Sequence, residues 1–196
     1  MMYHLLSFLL KLISYIPFRA LYVLSDGLYY ILYYIIRYRR KIVRKNLTES
    51  FPTLKGKEIF QVEKKFYRYF TDQVLESCKM ATISPEEMKK HMKFTNIEAA
   101  NAVFKEGKSI ALYMGHYGNW EWIPSLTLWC ETSDKLVSGQ IYNPLHNEWF
   151  NDFFLRLRSR FGTINIAKKN TDHIGQIIGK MQSRGIQADN HMRPLS

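Results

Sequence analysis

The chain has 196 residues, 46% of them apolar and 15% aromatic, which is enough to build the core of one domain and too apolar for a disordered or low-complexity polymer. A formal net charge of +11 implies an anionic partner, but no nucleic-acid motif accompanies the basic residues, so nucleic acid is excluded as the expected one. The two cysteines, Cys78 and Cys130, have no metal-ligand spacing and build no disulfide framework, which points to a reducing compartment.

Met1 to Ile36 is the most apolar stretch, crowded with Leu, Ile and Tyr. It carries no small-residue cleavage site, so it is expected to be retained. Lys11, Arg19 and Asp26 interrupt it, and no uncharged run reaches the roughly 18 residues of a clean spanning helix. Tyr15, Tyr22, Tyr29, Tyr30, Tyr33 and Tyr34 are amphipathic rings of the kind that settle at headgroup level. An apolar, membrane-associated helical segment inserted at the interface or as a hairpin is expected, with a single span or an ordinary core helix as alternatives. RYRRKIVRKN, Arg37 to Asn46, follows with six basic residues. Alone, such a run is usually a solvated face. Beside a membrane-seeking segment it fits the positive-inside pattern and attraction to an anionic membrane surface. Residues 1–46 are therefore expected to form the anchor and residues 47–196 a domain on the cytoplasmic side.

Ile59, Val62, Phe66, Phe70 and Val74 recur at helical spacing, predicting one long amphipathic helix from Leu54 to about Ile83 that packs through this stripe. Ser84-Pro85-Glu86-Glu87 is a helix start, with Ser84 as cap and Pro85 at the first position. Ser109 to Met114 is a short apolar run that suits a buried strand. Gly115 and Gly118 then free the backbone, and Asn119 is placed to cap a helix that carries Trp120, Glu121, Trp122 and Leu126 to about Cys130. Lys135 to Tyr142 is predicted as a second strand and Tyr142 to Leu145 as a loop. Phe150, Phe153, Phe154, Leu157 and Phe161 then form a helical stripe with Arg156, Arg158 and Arg160 on its margins, and a last helix is expected over Thr171 to Met181.

The strand-turn-helix order around His116 is a site geometry. Residues five apart on one helix point away from each other, but a histidine on the turn can fold back onto a carboxylate in the first helical turn. Glu121 would then orient the His116 ring and stabilise its imidazolium, leaving the other ring nitrogen to take a proton from an acceptor hydroxyl or amine. The backbone N–H groups from Gly115 to Gly118, or an arginine, are candidates to receive an oxyanion.

GHYGNWEW resembles the His-x4-Glu/Asp block of the lysophospholipid acyltransferase superfamily, in the form held by the branch of late, lauroyl- or myristoyl-type acyltransferases of lipid A biosynthesis. YRRKIVRKNLTESFP is similar to that branch's R-x-x-V-x-x-NL-x-x-x-FP segment. QIYNPLHNEWFNDFFLRLRSRFG is similar to its Y-x-P-x-x-N and arginine-rich segment ending in glycine. The three blocks stand in the right order over Arg37 to Gly162. The resemblance implies an α/β fold with a mixed central sheet flanked by helices, glycerol-3-phosphate acyltransferase-like, and makes 47–196 an acyltransferase domain. It implies transfer from an acyl carrier protein or coenzyme A thioester to a hydroxyl or amine of a membrane lipid acceptor, with no metal or redox cofactor. It makes His116 and Glu121 catalytic, with Gly118, Asn119, Tyr142, Asn143, Arg158 and Arg160 as substrate-binding residues; Arg158 stands at the family's arginine and would hold an acidic group of donor or acceptor. SRGIQADNHMRPLS resembles the family's next strand and loop, which adds Asp189 to the substrate-binding set, with Arg193 beside it. The family continues past this point, so the C-terminal part of the sheet is expected to be missing and the region from about Gly179 lightly packed.

Other chemistries find less support. No Gly-x-Ser-x-Gly elbow is present for a hydrolase, and His4, His91, His146, His173 and His191 stand singly rather than at zinc-ligand spacing. The remaining alternative is a truncated, membrane-bound remnant that does no chemistry. The inner membrane, on its cytoplasmic face, is the expected location.

Overall fold

The computed structural model describes residues 2–112, 114–131 and 136–168. The chain divides into two compact units, 1–82 and 83–196, so the expected boundary after residue 46 falls inside the first unit. In the first, α1 (Met2–Tyr15), α2 (Phe18–Tyr30), a π-helical turn (Ile31–Ile35), α3 (Arg40–Ser50) and α4 (Lys57–Lys79) follow one another. In the second come α5 (Pro85–His91), α6 (Ile97–Lys105), a 3-10 helix (Trp120–Trp129), β1 (Gly139–Tyr142), α7 (Glu148–Ser159) and β2 (Ile164–Ala167). No helix among the described residues is long and apolar enough to cross a membrane.

The first unit is built on α4, against which α1, α2 and α3 pack. The long helix forms where its spacing predicts, but a different face is buried. Ile59, Glu63, Tyr67, Thr71, Leu75 and Cys78 point inward, while Phe66 and Val74 of the expected stripe are exposed. The face is set by Glu63, whose side chain is fully buried and accepts hydrogen bonds from Arg40 Nε at 3.2 Å, Arg44 Nε at 2.7 Å and a second Arg44 nitrogen at 3.1 Å. A buried carboxylate is tolerable only when paired and fully hydrogen-bonded, so the two arginines of α3 dictate which way α4 turns. Tyr29, Tyr33 and Tyr67 form the adjacent core. Tyr33 and Tyr67 meet edge to face at 5.3 Å, and the Arg40 guanidinium lies 4.3 Å over the Tyr33 ring. The Tyr67 hydroxyl donates to the Tyr38 carbonyl.

Ile16-Pro17 ends α1, and its last carbonyls are satisfied from α4 and the turn after it. Lys79 Nζ donates to Ser14 O at 2.9 Å and to Ile16 O at 2.8 Å, and Thr82 Oγ1 donates to Ser14 O at 2.6 Å. Leu5, Phe8, Leu9 and Leu12 of α1 remain exposed at helical spacing.

In the second unit the Ser84 cap forms as predicted, its hydroxyl accepting from Glu87 N at 3.1 Å. β1 and β2 are parallel, with Gly139 opposite Ile164 and Ile141 opposite Ile166, and α7 connects them. This β-α-β unit makes the chain a helix-dominated α/β protein whose sheet, among the described residues, is a single parallel pair. Gln140 Nε2 donates to its register partner Asn165 Oδ1 at 2.6 Å, and Asn165 Nδ2 reaches Leu155 O at 3.0 Å, tying sheet to helix. The described residues of Ser109 to Met114 do not form the buried strand their composition suggests. Ile110, Leu112 and Met114 are exposed, and no ladder partner stands beside them among the described residues; an apolar run becomes a strand only when a neighbour takes its backbone groups. Of the second predicted strand, Gly139 to Tyr142 forms the ladder among the described residues. The predicted helix over Thr171 to Met181 and the region from Gly179 lie outside the described residues.

Burial alone would raise the Glu63 carboxyl, but the hydrogen bonds from Arg44 and Arg40 outweigh it and hold it below the usual carboxylate range. A depressed folded-state pKa contributes stability that is present above the unfolded value, about 4.3 for glutamate, and is lost as pH falls through the folded value. Glu63→Gln is expected to lower stability by about 3 kcal/mol at neutral pH, because both arginines lose their counter-charge. The difference from the wild type should shrink in chemical denaturation repeated below about pH 4, where the wild-type carboxylate is itself being protonated.

Candidate active site

The turn that carries His116 is held by a hydrogen bond from Tyr117 N to Gly115 O at 2.9 Å, a three-residue turn with His116 at its centre. His116 is exposed and Tyr117, 94% exposed, stands in solvent. Gly118 follows at φ +68°, a left-handed conformation in which a side chain would be strained. Asn119 precedes the helix with no side-chain capping bond, unlike the cap predicted for it. The helix itself is 3-10 rather than α. Pro124, its fifth residue, has no N–H to offer and its ring crowds the carbonyl four residues back, and the aromatic and β-branched residues before it are weak α-formers. Two threonines anchor this helix to the turn between α7 and β2. Thr127 Oγ1 donates to Phe161 O at 2.8 Å and Thr163 Oγ1 to Pro124 O at 3.2 Å.

Glu121 is buried in this helix, and its partner is Arg158 of α7. Arg158 Nε donates to one carboxylate oxygen at 2.8 Å and its terminal nitrogen to the other at 2.6 Å. The recorded hydrogen bonds on Glu121 both come from that guanidinium, whereas His116 meets the Trp120 ring edge-on at 4.8 Å. The expected His116–Glu121 contact is therefore replaced by Glu121–Arg158. A guanidinium is permanently charged and its planar fork matches both carboxylate oxygens, so it outcompetes an exposed imidazole for a buried carboxylate. For the same reason Arg158, expected to hold an acidic group of a substrate, has its charge engaged within the protein.

The other predicted residues take separate places. Tyr142 ends β1, half-buried, and Asn143 is exposed just beyond it, at the C-terminal edge of the strand where crevices form in parallel sheets. Asn147 caps α7 by accepting from Phe150 N at 3.1 Å. Arg160 lies 5.4 Å over the Phe161 ring, its pKa lowered by burial. Asp189 and Arg193 lie outside the described residues. No group of His, Cys, Asp and Glu able to hold a metal occurs among the described residues. Burial pushes the Cys78 thiol up to about 11, which keeps it protonated and unreactive at neutral pH. The Glu121–Arg158 pair escaped the sequence reading, because the two residues stand 37 positions apart and nothing local links them.

Because Glu121 is nearly inaccessible and Arg158 largely so, Arg158→Met is expected to cost about 3 kcal/mol by leaving a buried carboxylate unpaired. Glu121→Gln combined with Arg158→Met should recover much of that loss. Denaturant midpoints of the two single variants and the double variant measure the coupling.

A family model described as bacterial lipid A biosynthesis acyltransferase matches residues 1–188 of the chain. No curated protein and no solved structure matches it.

Proposed function

Because the chain belongs to the bacterial lipid A biosynthesis acyltransferase family and is thus an acyltransferase, we propose that it moves a fatty acyl group from an acyl thioester to a hydroxyl or amine of a lipid acceptor, with His116 as general base. The observation that carries this reading is the His116 turn. It presents an exposed imidazole at the centre of a three-residue turn, and the helix that follows carries Glu121, a buried and arginine-bound carboxylate. His116 takes the proton from the acceptor hydroxyl or amine as that atom attacks the thioester carbonyl. The oxyanion that forms collapses, the C–S bond breaks, and the thiolate of an acyl carrier protein or coenzyme A leaves with little need of protonation. A carboxylate that accepts two bonds from one guanidinium retains further lone-pair sites, so Glu121 can remain on Arg158 and still receive the imidazolium when the turn folds inward. Backbone N–H groups from Gly115 to Gly118 are the proposed oxyanion donors. The Tyr117 N–H is already committed to Gly115 O.

In this reading β1, α7 and β2 belong to a glycerol-3-phosphate acyltransferase-like sheet. Gly118, Asn119, Tyr142, Asn143, Arg160 and Asp189 bind substrate, and Arg158 acts through Glu121. No metal or redox cofactor takes part. The first unit holds the enzyme at the cytoplasmic face of the inner membrane, where its cations are attracted to anionic lipid. The partners are a membrane lipid, such as a lipid A precursor, and the thioester carrier, not nucleic acid.

The test is thiol release from acyl-acyl carrier protein or acyl-coenzyme A, followed with a thiol reagent in the presence of lipid acceptor. His116→Ala is expected to lower the rate at least a hundredfold, within the roughly 10²–10⁴ that general-base catalysis supplies. Glu121→Gln is expected to fall between His116→Ala and the wild type, since an amide still holds the ring but does not stabilise its charge. A His116→Ala rate within a few fold of wild type removes the base assignment.

A further inference from the structure

We infer that the ridge from Ile35 to Lys45 is the seat on which an anionic bilayer docks, with Ile35, Ile36 and Ile42 entering the headgroup layer and Arg37, Arg39 and Lys41 pairing with lipid phosphates. This rests on the reading of the chain as a membrane-surface enzyme and assigns the contact to particular side chains. Between Asp26 and Glu49 the sequence holds six basic residues and no acidic one. The fold sorts these cations. Arg40 and Arg44 turn inward to Glu63 and fix α3 against α4, so they are structural. Lys45 makes a long contact of 3.8 Å to Glu49. Arg37, Arg39 and Lys41 are exposed, with no ion pair among the described residues, and they share one open concavity with Ile42, Thr48 and the Lys45–Glu49 pair, so cations outnumber the one carboxylate there.

The apolar side chains of the same ridge are as exposed as the cations. Ile35 is 75% exposed, Ile36 59% and Ile42 48%, and the amphipathic rings of Tyr34 and Tyr38 stand beside them. Isoleucines interleaved with arginines would serve neither of the usual protein partners. An acidic protein surface would satisfy the cations and leave the isoleucines against polar groups, while an apolar one would bury cations without counter-charge. A phosphate layer lying over hydrocarbon supplies both within the length of one side chain, since long cationic stems snorkel upward while aliphatic groups go down. The clamp on Glu63 gives the ridge a fixed shape, so the seat is preformed.

Flotation of the purified chain with vesicles tests this, using phosphatidylglycerol mixed into phosphatidylcholine and phosphatidylcholine alone. The wild type is expected to float with the anionic vesicles and not with the neutral ones. A basic residue near an anionic surface contributes about fivefold in affinity, so Arg37→Ser, Arg39→Ser and Lys41→Ser together should weaken binding by about a hundredfold at low ionic strength and by much less at high. Ile35→Asp with Ile36→Asp should weaken it at both. A second measurement does not depend on these variants folding. Cys78 and Cys130 are buried, so Ile36→Cys accepts an environment-sensitive fluorophore selectively, and its emission should shift to the blue on adding anionic vesicles. Wild-type binding that neither set of variants weakens, with no shift at position 36, overturns this seat and leaves the membrane reading standing. Failure of the wild type to bind anionic vesicles, including a case in which an acidic polypeptide such as polyaspartate binds instead, overturns both.

Discussion

The second unit depends on one ion pair. Glu121 lies in a 3-10 helix and Arg158 near the end of α7, and their two hydrogen bonds of 2.8 and 2.6 Å fasten the His116 turn to the β-α-β unit. The threonine contacts from Thr127 and Thr163 run between the same two regions, so the turn is attached through several bonds at once. The first unit repeats the device with Glu63 held by Arg40 and Arg44. In both cases the pair need not add much net stability, because desolvation offsets the attraction. Its force is conditional: once a carboxylate is committed to the interior, any arrangement that separates it from its arginine is penalised. That asymmetry specifies which face of α4 turns inward and where the His116 turn is rooted.

Much of the helical framework was legible in the sequence, because capping and periodicity are local. Ser84 with Pro85 marks the start of α5, and the long amphipathic repeat marks α4. The buried face of α4 was not legible, since counting apolar residues selects Phe66 and Val74, whereas the core is chosen by Glu63 and the distant arginines that satisfy it. β2 was missed for a related reason. INIA is only four residues long and acquires its identity from pairing with β1. Ser109 to Met114 shows the converse, an apolar run with strand composition whose described side chains stay in solvent. At the candidate site, the special backbone at Gly115 to Gly118 was readable from glycine spacing, but the partner of Glu121 was not, since ion pairing across 37 residues leaves no trace in local pattern.

The contrast between His116 and Glu121 bears on how the chemistry would proceed. The carboxylate is buried and anchored, while the imidazole is exposed on a short turn and meets an indole edge-on. In the proposed mechanism a base in that position meets an acceptor directly from solvent, and the turn moves inward for the carboxylate to support the charge it develops. Apolar side chains flank the turn on its N-terminal side, with Leu112 and Met114 exposed. That setting suits an acyl chain or a lipid better than a small polar substrate.

The central claim is that this chain adds an acyl group to a lipid by means of His116. Mass spectra of total lipid from cells expressing the wild-type chain or its His116→Ala variant test it most directly. The account predicts a lipid species heavier by one acyl group, present with the wild type and absent with the variant at equal protein levels. Identical lipid spectra from the two, with both proteins folded, would contradict it.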